Sequence, residues 1–252
     1  MWMDTHCHLN SEELYPDIDL WIEKAHQNKV EAFFVVGWDL PSSQLAIQIA
    51  EKYEEVYAIV GVHPCDIEGV DLKQLEPLLT HPKVVAVGEI GLDYHWVKEE
   101  EKRNMQKAYF IKQIEIANAY HLPISIHSRD AIQDTYDILS EHRPIYGAIM
   151  HCFSGSKEML ERFLQLDCMI SFGGPVTFKN ARTTKECAIE VPLSHLLMET
   201  DSPYLTPHPY RGEQNDPSFI PFIATEIASL KGISEEELSK ITLQNTKRFF
   251  RL

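Results

Sequence analysis

The chain has little positive charge with which to hold a polyanion at a distance. It carries 23 Lys and Arg against 38 Asp and Glu, a formal net charge of −15, and contains no run of lysines or arginines. A surface of this sign does not draw nucleic acid or an anionic membrane over long range. An anionic substrate therefore has to be held locally, by metal ions and a few basic side chains. Cysteine is equally unhelpful as a scaffold. Cys7, Cys65, Cys152, Cys168 and Cys187 are odd in number and irregular in spacing, with no CxxC among them, which points to reduced thiols rather than a disulfide framework. No stretch reaches the roughly 18 apolar residues of a membrane helix. The opening MWMDTHCHLN has no basic segment leading into an apolar one. A cytoplasmic protein with no membrane attachment and no obligate protein partner is the expectation. Linkers, low-complexity tracts and fixed-period repeats are also missing, so residues 1–252 read as one domain. Its 44% hydrophobic content is enough for a sizeable core.

What the chain does have is a cadence. Short apolar runs occur at Trp2–Thr5, Ala32–Val36, Tyr57–Val62, Val84–Gly88, Pro123–Ile126, Gly147–Met150, Met169–Phe172 and Leu196–Met198. They are continuous rather than alternating, as parallel strands covered on both faces require. Helical stretches fall between them: Ile18–Asn28, Ser42–Tyr53, Leu72–Leu79, Glu100–Tyr120, Asp130–His142, Ser156–Leu166 and Ala181–Glu190. A Pro-rich loop, Ser202–Pro217, then leads to closing helices at Phe219–Leu230 and Ser234–Phe250, the second opening on a Ser234/Glu237 capping-box pattern. Eight β–α units in a chain of this length predict an α/β fold, a single (β/α)8 TIM barrel. An open doubly wound sheet is the alternative, but it would spread its strand ends along a line.

The polar residues at the ends of these runs decide between the two. His6 and His8 close the first run and share strand parity, so both imidazoles face the same way. Asp4 shares that parity one step deeper, as a ligand, an orienting carboxylate or a buried acceptor for a loop. Cys7 and Cys152, beside His6 and His151, are expected to point the other way as buried small hydrophobes. Glu89 follows a strongly apolar strand, where a carboxylate is costly to bury unless paired or metal-bound. Gly88 and Gly91 around it suggest close backbone approach in a tight turn, and Glu89 is read as a bridge between two ions. His127, His151 and Asp201 follow the fifth, sixth and eighth runs, with Glu199 in parity with Asp201. Asp201 is placed to bind a metal and take a proton from water. His63, after the third run, either meets a phosphate or leaving group or braces its loop. Arg129, Arg211 and Asn215 are candidate substrate contacts, since an arginine fork matches phosphate oxygens. Tyr94, Phe153 and Tyr204 can stack on a base or simply pack. Histidine and carboxylate donors without a thiolate favour Mg, Mn or Zn, as two or three divalent ions.

In order along the chain, MDTHCHL (Met3–Leu9), GVHP (Gly61–Pro64), GEIGLDY (Gly88–Tyr94), IHSR (Ile126–Arg129), HCFSG (His151–Gly155) and ETDSPYL (Glu199–Leu205) resemble the TatD family of metal-dependent deoxyribonucleases, within the amidohydrolase-like TIM-barrel superfamily. The resemblance implies hydrolysis of DNA phosphodiester bonds, often from the 3′ end, with Mg or another divalent ion. It implies that His6, His8, Glu89, His127, His151 and Asp201 are metal ligands and that His63 lies near the phosphate. Strand four ends in Glu89 rather than in the lysine that many amidohydrolases carboxylate, with Lys83 and Lys98 misplaced for that role. The acidic balance narrows the expected DNA substrate to single strands, frayed ends or short oligonucleotides. A hydrolase of a small ester, amide or lactone using the same ions is the competing expectation. A barrel whose metal merely staples the fold is a third.

Overall fold

A computed structural model describes residues 1–252. Eight parallel strands pair in sequence order, β1 (Trp2–Cys7), β2 (Val30–Val36), β3 (Val56–Val60), β4 (Val84–Asp93), β5 (Ile124–Arg129), β6 (Ala148–Met150), β7 (Met169–Phe172) and β8 (Leu196–Met198). The sheet is brought round so that β8 meets β1. Thr5 Oγ1 donates to Met198 O (2.9 Å), and just beyond, the Asp201 amide donates to His6 O (2.9 Å) and the His8 amide to Ser202 O (2.8 Å). Main helices follow the strands: α1 (Ile18–Gln27), α2 (Leu40–Lys52), α3 (Glu76–Leu79), α4 (Glu100–Ala119), α5 (Ile132–Glu141), α6 (Lys157–Gln165), α7 (Arg182–Glu190), α8 (Ile220–Lys231) and α9 (Glu235–Phe250). This is the (β/α)8 barrel expected.

The continuous apolar runs arise because both faces of each strand are covered. In β2, Phe33 and Val35 join the large core between sheet and helices, while Phe34 and Val36 point into the lumen. Ile59, Ala86, Ile149 and Leu197 fill the same lumen, and Phe250 at the end of α9 stacks on Phe34 with ring centroids 4.2 Å apart. That end of the barrel is an apolar plug, as in barrels generally.

Three boundaries differ instructively from the sequence expectation. The helix expected over Leu72–Leu79 is a 3-10 turn, Leu72–Gln74, followed by the single turn α3. Pro77 in that turn has no amide to donate. Asp130, expected to open a helix, is in the left-handed region (φ 54°), and α5 begins at Ile132. Strand β4 does not end at Gly88. It continues to Asp93, pairing Ile90 with Ile126, Gly91 with His127 and Asp93 with Arg129 across an irregularity after Val87. Glu89 therefore sits inside a strand, not in a tight turn. The glycines do mark close approach: a Cβ on Gly91 would lie 2.0 Å from His127 O.

Helix α4 ties this region down. Phe110, Ile114 and Ala117 form its apolar face, and two buried glutamines lie on the same helix. Gln113 brackets Val62, accepting its amide (2.9 Å) and donating to its carbonyl (3.0 Å). Gln106 accepts from the Asp93 amide (3.0 Å) and donates to Pro64 O (3.1 Å). The segments carrying His63 and Asp93 are thus fixed by hydrogen bonds that would be costly to leave unmade in a buried setting.

Candidate metal centre at the barrel mouth

Strand alternation carries the chemistry into the lumen. His6 and His8, two residues apart, bring their Nε2 atoms to 3.3 Å of each other. Asp201 comes off the end of β8 in the left-handed region (φ 55°), a conformation Asp tolerates better than most residues. Its Oδ1 lies 3.8 Å from His6 Nε2 and 3.5 Å from His8 Nε2. Glu89 stands between this group and a second one. Its Oε2 is 3.5 Å from His6 Nε2 and 3.8 Å from His8 Nε2. Its Oε1 is 2.8 Å from His127 Nδ1 and 2.9 Å from His151 Nε2, which are themselves 3.4 Å apart. The six residues expected as ligands are brought to one place: His6, His8 and Asp201 form one donor group, His6, Glu89 and His151 another, and His127 adjoins the second through Glu89 Oε1.

The outer nitrogens of three imidazoles are anchored. His8 Nδ1 donates to Val36 O (3.0 Å), His151 Nδ1 to Glu199 Oε1 (3.2 Å) and His127 Nε2 to Asp93 Oδ2 (3.0 Å). In each ring the remaining nitrogen then presents a lone pair to the centre, the arrangement in which an outer partner sets the tautomer of a metal-binding histidine. Lone pairs and carboxylate oxygens so close together repel unless positive charge lies among them. The protonation balance says the same. Burial pushes the Glu89 carboxyl up, but the His151, His127 and His6 imidazoles outweigh it and hold it well below the usual range. Asp201 is likewise lowered, burial being outweighed by the His8 hydrogen bond and the neighbouring imidazoles. Burial disfavours charge on His8, His127 and His151, yet the surrounding carboxylates lift all three, His151 furthest. His6 alone is lowered, by burial and by the His151 charge, and its buried Nδ1 has no partner. A cavity that raises imidazole pKa values this way favours cations, so the donor set fits divalent ions.

The remaining expectations divide. Asp4 is a loop acceptor: it takes the amides of Thr200 (2.9 Å) and His6 (3.3 Å) together with the Thr200 hydroxyl, and burial pushes its carboxyl up to about 8. Cys7 is buried, its thiol against Phe34 O. Cys152 departs from expectation. Strand β6 ends at Met150 and Cys152 is left-handed (φ 43°), so alternation no longer applies and it lines the cavity half-buried. Burial holds its thiol well above the usual range, which disfavours a thiolate. His63 lines the same cavity, against the edge of His127 at 4.5 Å, with Nδ1 accepting the Cys65 amide (3.2 Å).

Of the four candidate substrate contacts, Arg129 alone lines the cavity, a space of about 530 Å³, and it is the one lysine or arginine that does. Asn215 is a correction. It is fully buried and donates to Thr200 O (2.9 Å) and Tyr204 O (2.5 Å), so it braces the loop after β8 and has no surface to offer a substrate. Tyr94 is also a correction. It is buried against Arg103, with its hydroxyl donating to Asp134 (2.6 Å). Arg211 is exposed outside the cavity wall, its guanidinium 4.0 Å from the Phe178 ring centroid. Phe153 packs edge-on to Phe163 and Phe172.

Asp93 was missed. Its Oδ1 accepts the Trp96 amide (2.9 Å) while Oδ2 orients His127. Asp93 and His127 also fall with His63 in a third group of potential donor atoms. The available signal was parity: residues 89, 91 and 93 share a face once β4 is allowed to continue past its glycines.

A histidine–carboxylate centre at the mouth of a parallel (β/α)8 barrel suits a metal-dependent enzyme. The family model for TatD related DNase matches residues 3–251, and the chain belongs to that family. It is similar to the uncharacterized metal-dependent hydrolase YabD of Bacillus subtilis, 46% identical over the full length of both chains. It is 38% identical to the uncharacterized metal-dependent hydrolase YcfH of Escherichia coli, over 99% of this chain and 96% of that one. Among solved structures it resembles the TatD homolog YJJV of Escherichia coli, with a TM-score of 0.95 and 30% identity, covering 100% and 98% of the two chains. A TatD family hydrolase of Entamoeba histolytica shares the fold, with a TM-score of 0.84 at 23% identity over 98% and 97%.

Proposed function

We propose that this hydrolase cleaves phosphodiester bonds in DNA, working from the 3′ end of single strands or frayed termini with two divalent ions, Mg, Mn or Zn. The observation that supports the reading is Glu89, whose Oε2 faces His6 and His8 while its Oε1 faces His127 and His151. Paired divalent ions suit in-line displacement at phosphorus, because they stabilise both the entering and the leaving oxygen and lower the pKa of a water. Arg129 at the cavity wall supplies a planar fork for a non-bridging phosphate oxygen. Asp201, ionised well into acid, is the proton acceptor for the attacking water. His63 faces the same cavity and hydrogen-bonds the phosphate or the departing 3′-oxygen. Glu199 and Asp93 hold His151 and His127 in the required tautomer and orientation. Third-ion chemistry at His63, Asp93 and His127 is not needed for this scheme, since His127 Nδ1 already faces Glu89.

The net charge of −15 favours handling one or two phosphates at a time over gripping a long duplex. No helix is long and apolar enough to cross a membrane, and the five free cysteines favour a cytoplasmic setting. The test is to strip the protein with a chelator, restore Mg, Mn or Zn separately, and follow 3′- and 5′-labelled single strands on a gel. Metal-dependent laddering from the 3′ end is the expected result. Hydrolysis of small esters, amides or lactones with no cleavage of any strand would overturn the phosphodiester reading and leave the metal centre standing.

A further inference from the structure

Trp96 has no structural work to explain it. Its side chain is 68% exposed, whereas a ring of this size is ordinarily mostly buried in a folded domain. It is nevertheless held in place. Its amide donates to Asp93 Oδ1 (2.9 Å), and the other oxygen of that carboxylate bonds His127 (3.0 Å). The loop carrying the indole is therefore fastened directly to a ring of the metal centre. The Arg129 guanidinium lies over the indole at 5.7 Å from its centroid, and His95 meets it edge-on at 4.8 Å. Arg129 also lines the reaction cavity, so one side chain joins the cavity wall to the exposed ring.

We propose that Trp96 is a stacking platform for an unpaired nucleobase, and that Arg129 takes the phosphate between that nucleotide and the reacting bond. This rests on the phosphodiesterase reading and names a binding subsite for it. A flat aromatic face accepts any base but needs that base free of its partner strand. The platform therefore gives an acidic protein a grip on single strands that does not depend on surface charge. Arg129 is positioned to act twice, as a cation over the indole and as a phosphate fork.

The test compares two strands of equal length and charge, one of thymidines and one of base-less tetrahydrofuran spacers. It uses the metal-loaded wild type, Trp96→Ala and Trp96→Phe. With wild type, KM for the thymidine strand should be lower by about tenfold or more, the scale of one base–aromatic stack. Trp96→Ala should erase that difference by raising KM for the thymidine strand to that of the spacer strand, and Trp96→Phe should restore most of it. A hydrolysis-resistant phosphorothioate thymidine strand should quench wild-type tryptophan fluorescence and leave Trp96→Ala unquenched. The proposal is overturned if Trp96→Ala weakens both strands equally, weakens neither, or changes only the protein's self-association. If wild type cleaves neither strand, the phosphodiester reading fails, and the fluorescence comparison still decides the subsite.

Discussion

The two ends of the barrel lumen are built from the same strands, two to four residues apart along the chain. Leu197 fills the floor, and Glu199 and Asp201 on the same parity reach the mouth. Ile149 on β6 is followed by His151, and the floor residue Ala86 of β4 by Glu89. At the floor the side chains are apolar and sealed by Phe250, and their burial is favourable in itself. At the mouth the side chains are mutual acceptors whose burial is unfavourable until positive charge joins them. The difference separates what holds the barrel together from what makes it react. The floor and the larger core between sheet and helices hold the barrel together by apolar burial. Reactivity resides at the mouth, where the fold tolerates local repulsion because the rest of the lumen is well packed.

The sharpest way to test that separation is Asp201→Asn, which keeps shape and removes the charge. Turnover should fall by about 10²–10⁴-fold, the range for a positioned acid–base group, with thermal melting little changed. Near-wild-type turnover would remove Asp201 from the mechanism. Phe250→Ala is the converse experiment. Truncating this ring should cost about 3–5 kcal/mol in urea denaturation while turnover per folded molecule stays the same. Lost turnover at unchanged stability would break the division between the two ends.

A smaller effect is expected at Asp93→Asn. The variant should lose about 10- to 100-fold in metal affinity or activity, as outer partners of ligating histidines do, and titration calorimetry reads it directly. Full affinity in the variant would show that His127 needs no orienting carboxylate. The response to pH is graded rather than all-or-none. His8, His127 and His151 hold their protons above the usual 6.5, and a metal ion must displace those protons to bind. Proton binding is the competitor, so metal affinity rises with pH and continues to rise above 6.5 instead of levelling there. The slope is about tenfold per pH unit for each proton displaced. Chelator competition across that range measures it, and a flat profile would contradict the protonation balance described.

Much of this was legible in the sequence because the barrel converts a linear pattern into a ring. Apolar runs mark the strands, and a residue one to three places beyond a run faces the mouth, which locates His6, His8, His127, His151 and Asp201. Glu89 was legible as a carboxylate beside a strand although its strand continues past it. Asp93 was obscured for the same reason: the glycines of β4 look like a terminus when they are a place of close approach. The loop residues were the least legible. Asn215 and Tyr94 have the chemistry of substrate contacts, but loops on this face must also satisfy their own buried backbone groups. Asn215 serves Thr200 O and Tyr204 O instead of a ligand. Trp96 escaped notice because exposure is not written in a residue's type.

The most direct measurement is the metal content of wild type and Glu89→Gln by inductively coupled plasma mass spectrometry, after loading with excess divalent ion and desalting. If the two oxygens of Glu89 serve two cation subsites, wild type retains about two ions per chain and the variant loses at least one of them while remaining folded. A wild type that saturates with a single ion, or a variant that keeps both, would contradict the bridging role on which the account depends.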